Sequence, residues 1–234
     1  MSGADIVFER CFNDCSEFFL KNFYENIAPF SEKMSICYEN KAVSTGYLFE
    51  VTISDYKGYY LYGLATLPEY RNKGYMTSLL KNAEKTAIDK GLDFLYLATN
   101  SCKAEKLYRN NGFEKVKCGI KLSKNIGLKV EFKRCTIDEL VYNTDALIKV
   151  DKILRLNMLK SVSESICPYK SEMGYVLYDI EDNMIMDFYS DNKKFADIAY
   201  NSFNYPQFFC NEYTFMLKKL NPYMKFNGFN YLLN

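Results

Sequence analysis

The 234-residue chain contains no histidine. Within the chain, that absence excludes an imidazole general base, a Ser-His-Asp or Cys-His triad and a His-ligated metal. Tryptophan is missing too, which excludes nothing but leaves aromatic packing to 21 Tyr and 18 Phe. A phenol thereby becomes the most available side chain for donating a proton. There is no charge excess either: 30 Lys and Arg face 29 Asp and Glu, a formal net charge of +1. Proteins that grip a nucleic-acid duplex carry a basic excess or stripe. The basic residues here are scattered, so nucleic acid is not an expected partner. No run of 18 apolar residues occurs, so no span and no membrane partner are expected. The start, Met1-Ser-Gly-Ala-Asp5, lacks the basic and apolar regions of a signal peptide.

Cysteine is present but unpatterned. The eight residues at 11, 15, 37, 102, 118, 135, 167 and 210 form no C-x-x-C pair, which argues for buried free thiols and against a zinc or redox site. No metal is expected, and the chain reads as cytoplasmic. Hydrophobic residues at 48% and charged ones at 25% are ordinary for a globular protein, and the length suits one or two domains.

Hydrophobic periodicity gives the organisation. Phe19, Leu20, Phe23, Tyr24 and Ile27 mark one face of a helix that Pro29 closes. From Lys41 to Ile53 the pattern alternates, Val43, Thr45, Tyr47, Phe49, Val51 and Ile53 against Ser44, Gly46, Glu50 and Thr52, as in a half-buried strand. Asp55-Tyr-Lys-Gly58 reads as a turn, and Tyr59 to Leu67 as a more central, apolar strand. The period then becomes helical from Tyr75 to Lys90, with Gly91 as the stop. Phe94 to Ala98 is a short strand, followed by a helix from about Lys103 to Asn111 that Gly112 ends. Strand–helix–strand units of this kind predict an α/β fold with a mixed sheet.

The second half is weaker in signal. Lys121 to Leu128 reads as a linker, so domains at 1–122 and 123–234 are expected. Val130 to Cys135 suggests a strand and Ile137 to Leu159 one or two helices. Gly174 to Asp179 and Met184 to Tyr189 flank a hairpin turn at Glu181-Asp-Asn183. Lys194 to Phe203 looks helical, and Tyr213 to Leu217 looks like a strand. Phe8-Glu-Arg-Cys11 matches Phe132-Lys-Arg-Cys135, and Gly58-Tyr-Tyr-Leu-Tyr62 matches Gly174-Tyr-Val-Leu-Tyr178, as a degenerate duplication would.

Chemistry concentrates between Leu64 and Leu80. Here a buried strand passes through a loop carrying Arg71, Lys73 and Gly74 into a helix. The first amides of a helix lack internal partners and face outward under a positive dipole. Gly74 lets a bulky anion approach the backbone, and the two cations add charge. The segment is a natural pyrophosphate cradle, though neither a P-loop nor a G-x-G-x-x-G fingerprint.

Arg71-Asn-Lys-Gly74-Tyr-Met76 resembles the Arg/Gln-x-x-Gly-x-Gly/Ala loop of the GNAT superfamily of N-acetyltransferases, with Met76 in place of the usual small residue. Downstream, Ala104-Glu-Lys-Leu-Tyr108-Arg-Asn-Asn-Gly112-Phe113 resembles that family's A-x-x-L-Y-x-x-x-G-F segment. The resemblance covers about residues 5 to 120, and the extra half is similar to two-domain members, including the enhanced-intracellular-survival type. It implies a GNAT-like acyl-CoA-binding fold followed by a smaller α/β domain. It also implies an acyltransferase that moves an acetyl group from acetyl-CoA to a primary amine on a small molecule or peptide by direct attack.

On that resemblance, the backbone of Ala65, Thr66 and Leu67 would pair with the pantetheine arm. Arg71, Asn72, Lys73, Gly74, Tyr75 and Met76 would hold the pyrophosphate, with Thr77 as a hydroxyl contact. Asn100 would lie beside the pantetheine, and Tyr108 would protonate the departing thiolate. The base stays open among Glu50, Asp55, ordered water and the C-terminal carboxylate at Asn234. No second acyl-CoA loop follows Asp187-Phe-Tyr-Ser190. A non-catalytic acyl-CoA-binding or interaction module is the alternative reading, and a homo-oligomer is compatible with the sequence.

Overall fold

In a computed structural model, the residues described are 2–116, 122, 127–140, 148–149, 154, 157–158, 165–190, 192, 194–208 and 213–225. In chain order the elements are α1 (Gly3–Cys11), α2 (Glu17–Asn22), β1 (Ser31–Tyr38), β2 (Lys41–Ile53), β3 (Tyr56–Thr66), α3 (Tyr75–Asp89), β4 (Phe94–Thr99) and α4 (Cys102–Asn110). They continue with β5 (Glu114–Lys115), β6 (Lys133–Arg134), β7 (Ile148–Lys149), β8 (Ile166–Ser171), β9 (Gly174–Asp179) and β10 (Met184–Tyr189). The last are α5 (Phe195–Ser202), β11 (Gln207–Phe208) and β12 (Thr214–Lys219). Two compact units share the chain: Met1–Lys115 with Leu147–Ser161 and Met216–Phe226, and Val116–Ala146 with Val162–Phe215 and Asn227–Asn234.

The first unit is built on a mixed sheet in the order β1-β2-β3-β4-β12-β5, with β7 also on β2. β1, β2 and β3 run antiparallel, and β4 lies parallel to β3. On one face α3 and α4 bring Leu80, Ala83, Ala87 and Tyr108 onto Tyr59, Leu61, Leu95 and Leu97. On the other face Phe8, Phe23 and Ile27 cover Tyr47 and Phe49. β2 is therefore buried on both faces from Val43 to Phe49, where alternation alone predicts a half-buried strand. The small residues on its second face, Ser44 and Gly46, sit under packed neighbours rather than water. The predicted helix over 15–27 is α2 running on into a π-turn, Phe23–Ile27.

Helix starts follow their capping chemistry. Ser2, Ser16 and Ser101 cap α1, α2 and α4 through their hydroxyls, each satisfying an amide the helix cannot. Asp5 does more than complete the first box. Its buried carboxylate accepts from Tyr47 at 3.0 Å and from Lys33 at 2.9 Å, tying α1 to β2 and β1. Burial pushes its carboxyl up, but Lys33, Ser2 and Tyr47 together hold it below the usual aspartate range.

The second unit is a sheet in the order β11-β10-β9-β8-β6 with α5. β9 and β10 occupy the predicted residues, joined through Asn183 at φ +48°. Of the expected helix or helices over 137–159, Leu154, Asn157 and Met158 are helical, the first part of the span is not, and 141–147, 150–153, 155–156 and 159 lie outside the described residues. Ile137–Glu139 is a single 3-10 turn and Ile148–Lys149 is strand β7, paired with Thr52 and Ile53. Tertiary pairing overrides the local period there. Most of the predicted linker, 121 and 123–126, lies outside the described residues. Of the two internal matches, Phe8–Cys11 is helical while Phe132–Cys135 spans β6, so that pair is not equivalent in structure. The other pair falls on strands β3 and β9.

Candidate active site

β3 and β4 begin side by side and then part. Their ladder is Gly58 with Phe94, Tyr59 with Leu95 and Tyr60 with Tyr96, although β3 runs to Thr66 and β4 to Thr99. From Leu61 onward β3 keeps β2 on one side and leaves its other edge without a strand partner among the described residues. A bulge reinforces the parting: Thr45 pairs with Ala65 but Tyr47 with Tyr62, so β3 carries one extra residue at Gly63 and Leu64. Bulges re-aim backbone groups and raise local twist. Gly63 sits at φ +60° with the Phe8 ring so close that a Cβ would lie 2.5 Å from it, hence glycine.

The cradle closes the far end of this opening. Leu67 donates its amide to Val43, a 3-10 turn follows over Pro68–Tyr70, and α3 starts at Tyr75. Gly74 at φ +85° is its N-cap, with no side-chain cap and no acid in the first turn. The first intrahelical bond is Ser78 N to Gly74 O, 3.0 Å, so the amides before it have no partner within the helix. Nothing lies within 4 Å of a Cβ built at Gly74, so glycine serves the backbone angle there and not a close contact. Arg71 folds back instead of reaching outward: its Nε donates to the Thr66 carbonyl at 3.0 Å. Thr66 is further fixed by Ser44, whose hydroxyl lies 2.9 Å from Thr66 Oγ1 and donates to the Ala65 carbonyl.

A cavity of about 460 Å³ runs between these walls. β3 supplies Leu64, Ala65 and Thr66, and the cradle supplies Arg71, Asn72 and Gly74 to Thr77. α4 contributes Lys103, Ala104, Leu107 and Tyr108, and α1 with its following residue contributes Cys11 and Phe12. Tyr108 is 7% exposed, its ring is 6.0 Å from that of Phe113, and burial pushes its hydroxyl up to about 12. Burial also raises the Cys11 thiol, against the pull of Arg71 beside it.

The cavity thus gathers Ala65, Thr66, Arg71, Asn72, Gly74, Tyr75, Met76, Thr77 and Tyr108 from the sequence-derived set. Leu67 and Lys73 lie outside its lining; Lys73 Nζ instead stands 5.2 Å over the Tyr70 ring. Asn100 is exposed, just before the Ser101 cap that does line the cavity. Asn234 lies outside the described residues. Glu50 pairs with Tyr59, five residues along β2 from Thr45, which is about 17 Å of strand, and its carboxylate is 3.9 Å from Lys90. Asp55 is farther still, in the β2–β3 turn.

Beyond that set the lining adds Leu64, Tyr70 and Ser101, neighbours of expected residues in the chain, and two further groups. Lys103, Ala104 and Leu107 share the α4 face of Tyr108 and were within reach of a helical-face argument. Cys11 and Phe12 come from α1 by tertiary folding, and nothing local in the sequence marks them.

Residues 6–113 match the acetyltransferase (GNAT) family. This segment is a GNAT acetyltransferase domain. It carries the splayed strands, the uncapped helix and Tyr108, and the mixed sheet is its frame. No curated protein matches the chain closely enough to count as a relative. Among solved structures, a conserved Enterococcus faecalis V583 protein of unknown function, described as a probable N-acyltransferase, is 16% identical with a TM-score of 0.61. That match covers 95% of this chain and 64% of the other, so the chain spans less than two thirds of that protein. A GCN5-related N-acetyltransferase from Anabaena variabilis is 13% identical, TM-score 0.60, over 92% of this chain and 69% of that one. Eis1 from Mycobacterium abscessus is 12% identical, TM-score 0.56, over 84% and 58%. At such identities the likeness is one of fold, and it extends past the acetyltransferase domain into the second half of the chain. No described helix is long and apolar enough to cross a membrane, and no group of three or more acidic or cysteine side chains gathers for a metal among the described residues.

Proposed function

We propose that the chain transfers an acetyl group from acetyl-CoA to a primary amine on a small molecule or peptide. The observation that carries this reading is the single cavity joining the unpaired edge of β3, the uncapped start of α3 and the buried Tyr108. The free edge of β3 at Ala65 and Thr66 offers the pantetheine amides a strand to pair with. The amides opening α3 hold the pyrophosphate under the helix dipole, and a β3 amide beside the bulge polarises the thioester carbonyl. The amine nitrogen bonds to the acyl carbon as the C–S bond breaks. Tyr108 gives its proton to the leaving sulfur and is reprotonated by the proton the amine sheds, so the net products are an amide and free CoA. Six described cysteines are free thiols, which suits the cytoplasmic setting proposed for the reaction.

A second reading has one observation in its favour: no carboxylate lines the cavity, so no base stands beside Tyr108 among the described residues. A non-catalytic acyl-CoA-binding module would have that feature. Calorimetric titration with acetyl-CoA tests the shared part. Micromolar binding, about −8 kcal/mol, lost in an Arg71→Glu/Gly74→Trp double variant, supports both readings. No binding by a folded wild type sinks both. Turnover of any amine in a panel then selects the enzyme.

A further inference from the structure

Three tyrosines gather at the mouth of the cradle, and the chemistry above uses the backbone of Tyr75 but none of the three rings. Tyr38 ends β1, Tyr70 closes the 3-10 turn and Tyr75 opens α3. Their centroids form a triangle, 5.8 Å from Tyr38 to Tyr70, 6.3 Å from Tyr38 to Tyr75 and 6.1 Å from Tyr70 to Tyr75. The rings meet one another tilted or edge to face, and the exposure of Tyr38 leaves ring surface open to solvent. Tyr70 and Tyr75 line the cavity, while Tyr38 is 44% exposed beside them. Lys73 adds a cation over the Tyr70 face. The tight turn at Glu39 and Asn40, both at positive φ, fixes where Tyr38 stands.

Tyrosines that served only the core would be buried. These present ring surface to solvent at the end of a cavity whose inner wall holds Tyr108, 7% exposed. Exposed aromatic faces beside cations and phosphate-binding amides are what a nucleobase carried on phosphates can stack against. We propose that Tyr38, Tyr70 and Tyr75 form a platform for the adenine ring of the acyl donor. This inference rests on the acetyl-CoA reading above and deepens it. The pantetheine arm and a phosphate are common to CoA and to the phosphopantetheine of carrier proteins. A base platform selects the free nucleotide-borne thioester over the protein-borne one.

The test is calorimetric titration of wild type, Tyr38→Ala and Tyr38→Phe with acetyl-CoA and with S-acetyl-4′-phosphopantetheine, which lacks the adenosine. Wild type should prefer acetyl-CoA. Tyr38→Ala should bind acetyl-CoA about tenfold more weakly and bind the truncated thioester unchanged, while Tyr38→Phe keeps wild-type affinity for both. Equal weakening for both ligands, or no weakening for acetyl-CoA, overturns the platform and leaves the acetyl-CoA reading standing. Wild type that binds neither ligand overturns that reading and the platform with it.

Discussion

Burial does two things to Tyr108. It places the ring against Phe113 and the α4 face of the sheet, and it raises the hydroxyl from 10 to about 12 because the phenolate cannot be solvated there. At neutral pH the proton is therefore always present. In the proposed reaction the departing thiolate would meet the same apolar surroundings, so its affinity for that proton would rise as well. Tyr108→Phe should lower kcat by about 100-fold and leave acetyl-CoA affinity unchanged, since the ring remains; steady-state kinetics beside calorimetry measures both. An unchanged kcat removes Tyr108 from the chemistry. Because the folded value lies above the unfolded one, protonation is lost only as pH rises through about 12. The alkaline limb owed to Tyr108 should accordingly be missing at pH 10. By the same sign, its contribution to stability is intact below pH 10 and declines from there toward about 12. Tyr108 was legible in the sequence because its spacing from Ala104 and Gly112 is a local property of one helix and its stop.

At the scale of elements, the two glycines of the β3–α3 stretch do different work. Gly74 needs only its backbone angle, φ +85°, with open space where a Cβ would go. Gly63 needs the angle, φ +60°, and also the room, because the Phe8 ring fills the site. Phe8 cannot retreat easily: it stacks on Phe23 at 5.0 Å and meets Tyr47 edge-on at 5.4 Å. Gly74→Ala should cost about 1–2 kcal/mol of stability and weaken acetyl-CoA binding. Gly63→Ala should cost about 2–4 kcal/mol, strain and overpacking together. Urea melts of both variants give the ranking, and a Gly74→Ala loss as large as that of Gly63→Ala would contradict it. The contrast also marks what could be read from sequence. Gly74 sits in a strand–loop–helix junction whose proposed anion chemistry is written in four consecutive residues. The bulge at Gly63 and Leu64, which opens β3 away from β4, depends on register with β2 and on a ring from α1. No local pattern encodes it.

The whole molecule shows the same limit more sharply. The strand over Tyr213 to Leu217 was visible in the sequence, but its place was not. As β12 it lies between β4 and β5 in the first sheet, and Met216 joins the core of Tyr59, Leu80 and Leu95 at 0% exposure. Leu154 likewise packs with Phe8, Phe23 and Phe49, and β7 pairs with β2. Long-range pairing decides which sheet a strand joins, and the alternation along the strand is identical in either case. The consequence is a dependence of the acetyltransferase domain on residues far downstream. A fragment of residues 1–122 would keep the cradle and Tyr108 but lose Met216, Leu154 and the strand that β5 pairs with among the described residues. Each of the two buried side chains is worth about 2 kcal/mol. Exposing the β4 edge with Leu95 and Leu97 adds to that, against a total of about 5–15 kcal/mol for a typical domain. The fragment should therefore show no cooperative thermal transition and no acetyl-CoA binding, where the full chain shows both. Calorimetric melting of the two side by side decides it: a fragment that melts cooperatively and binds acetyl-CoA would mean that the returning strand is an ornament of the sheet and not a part of its core.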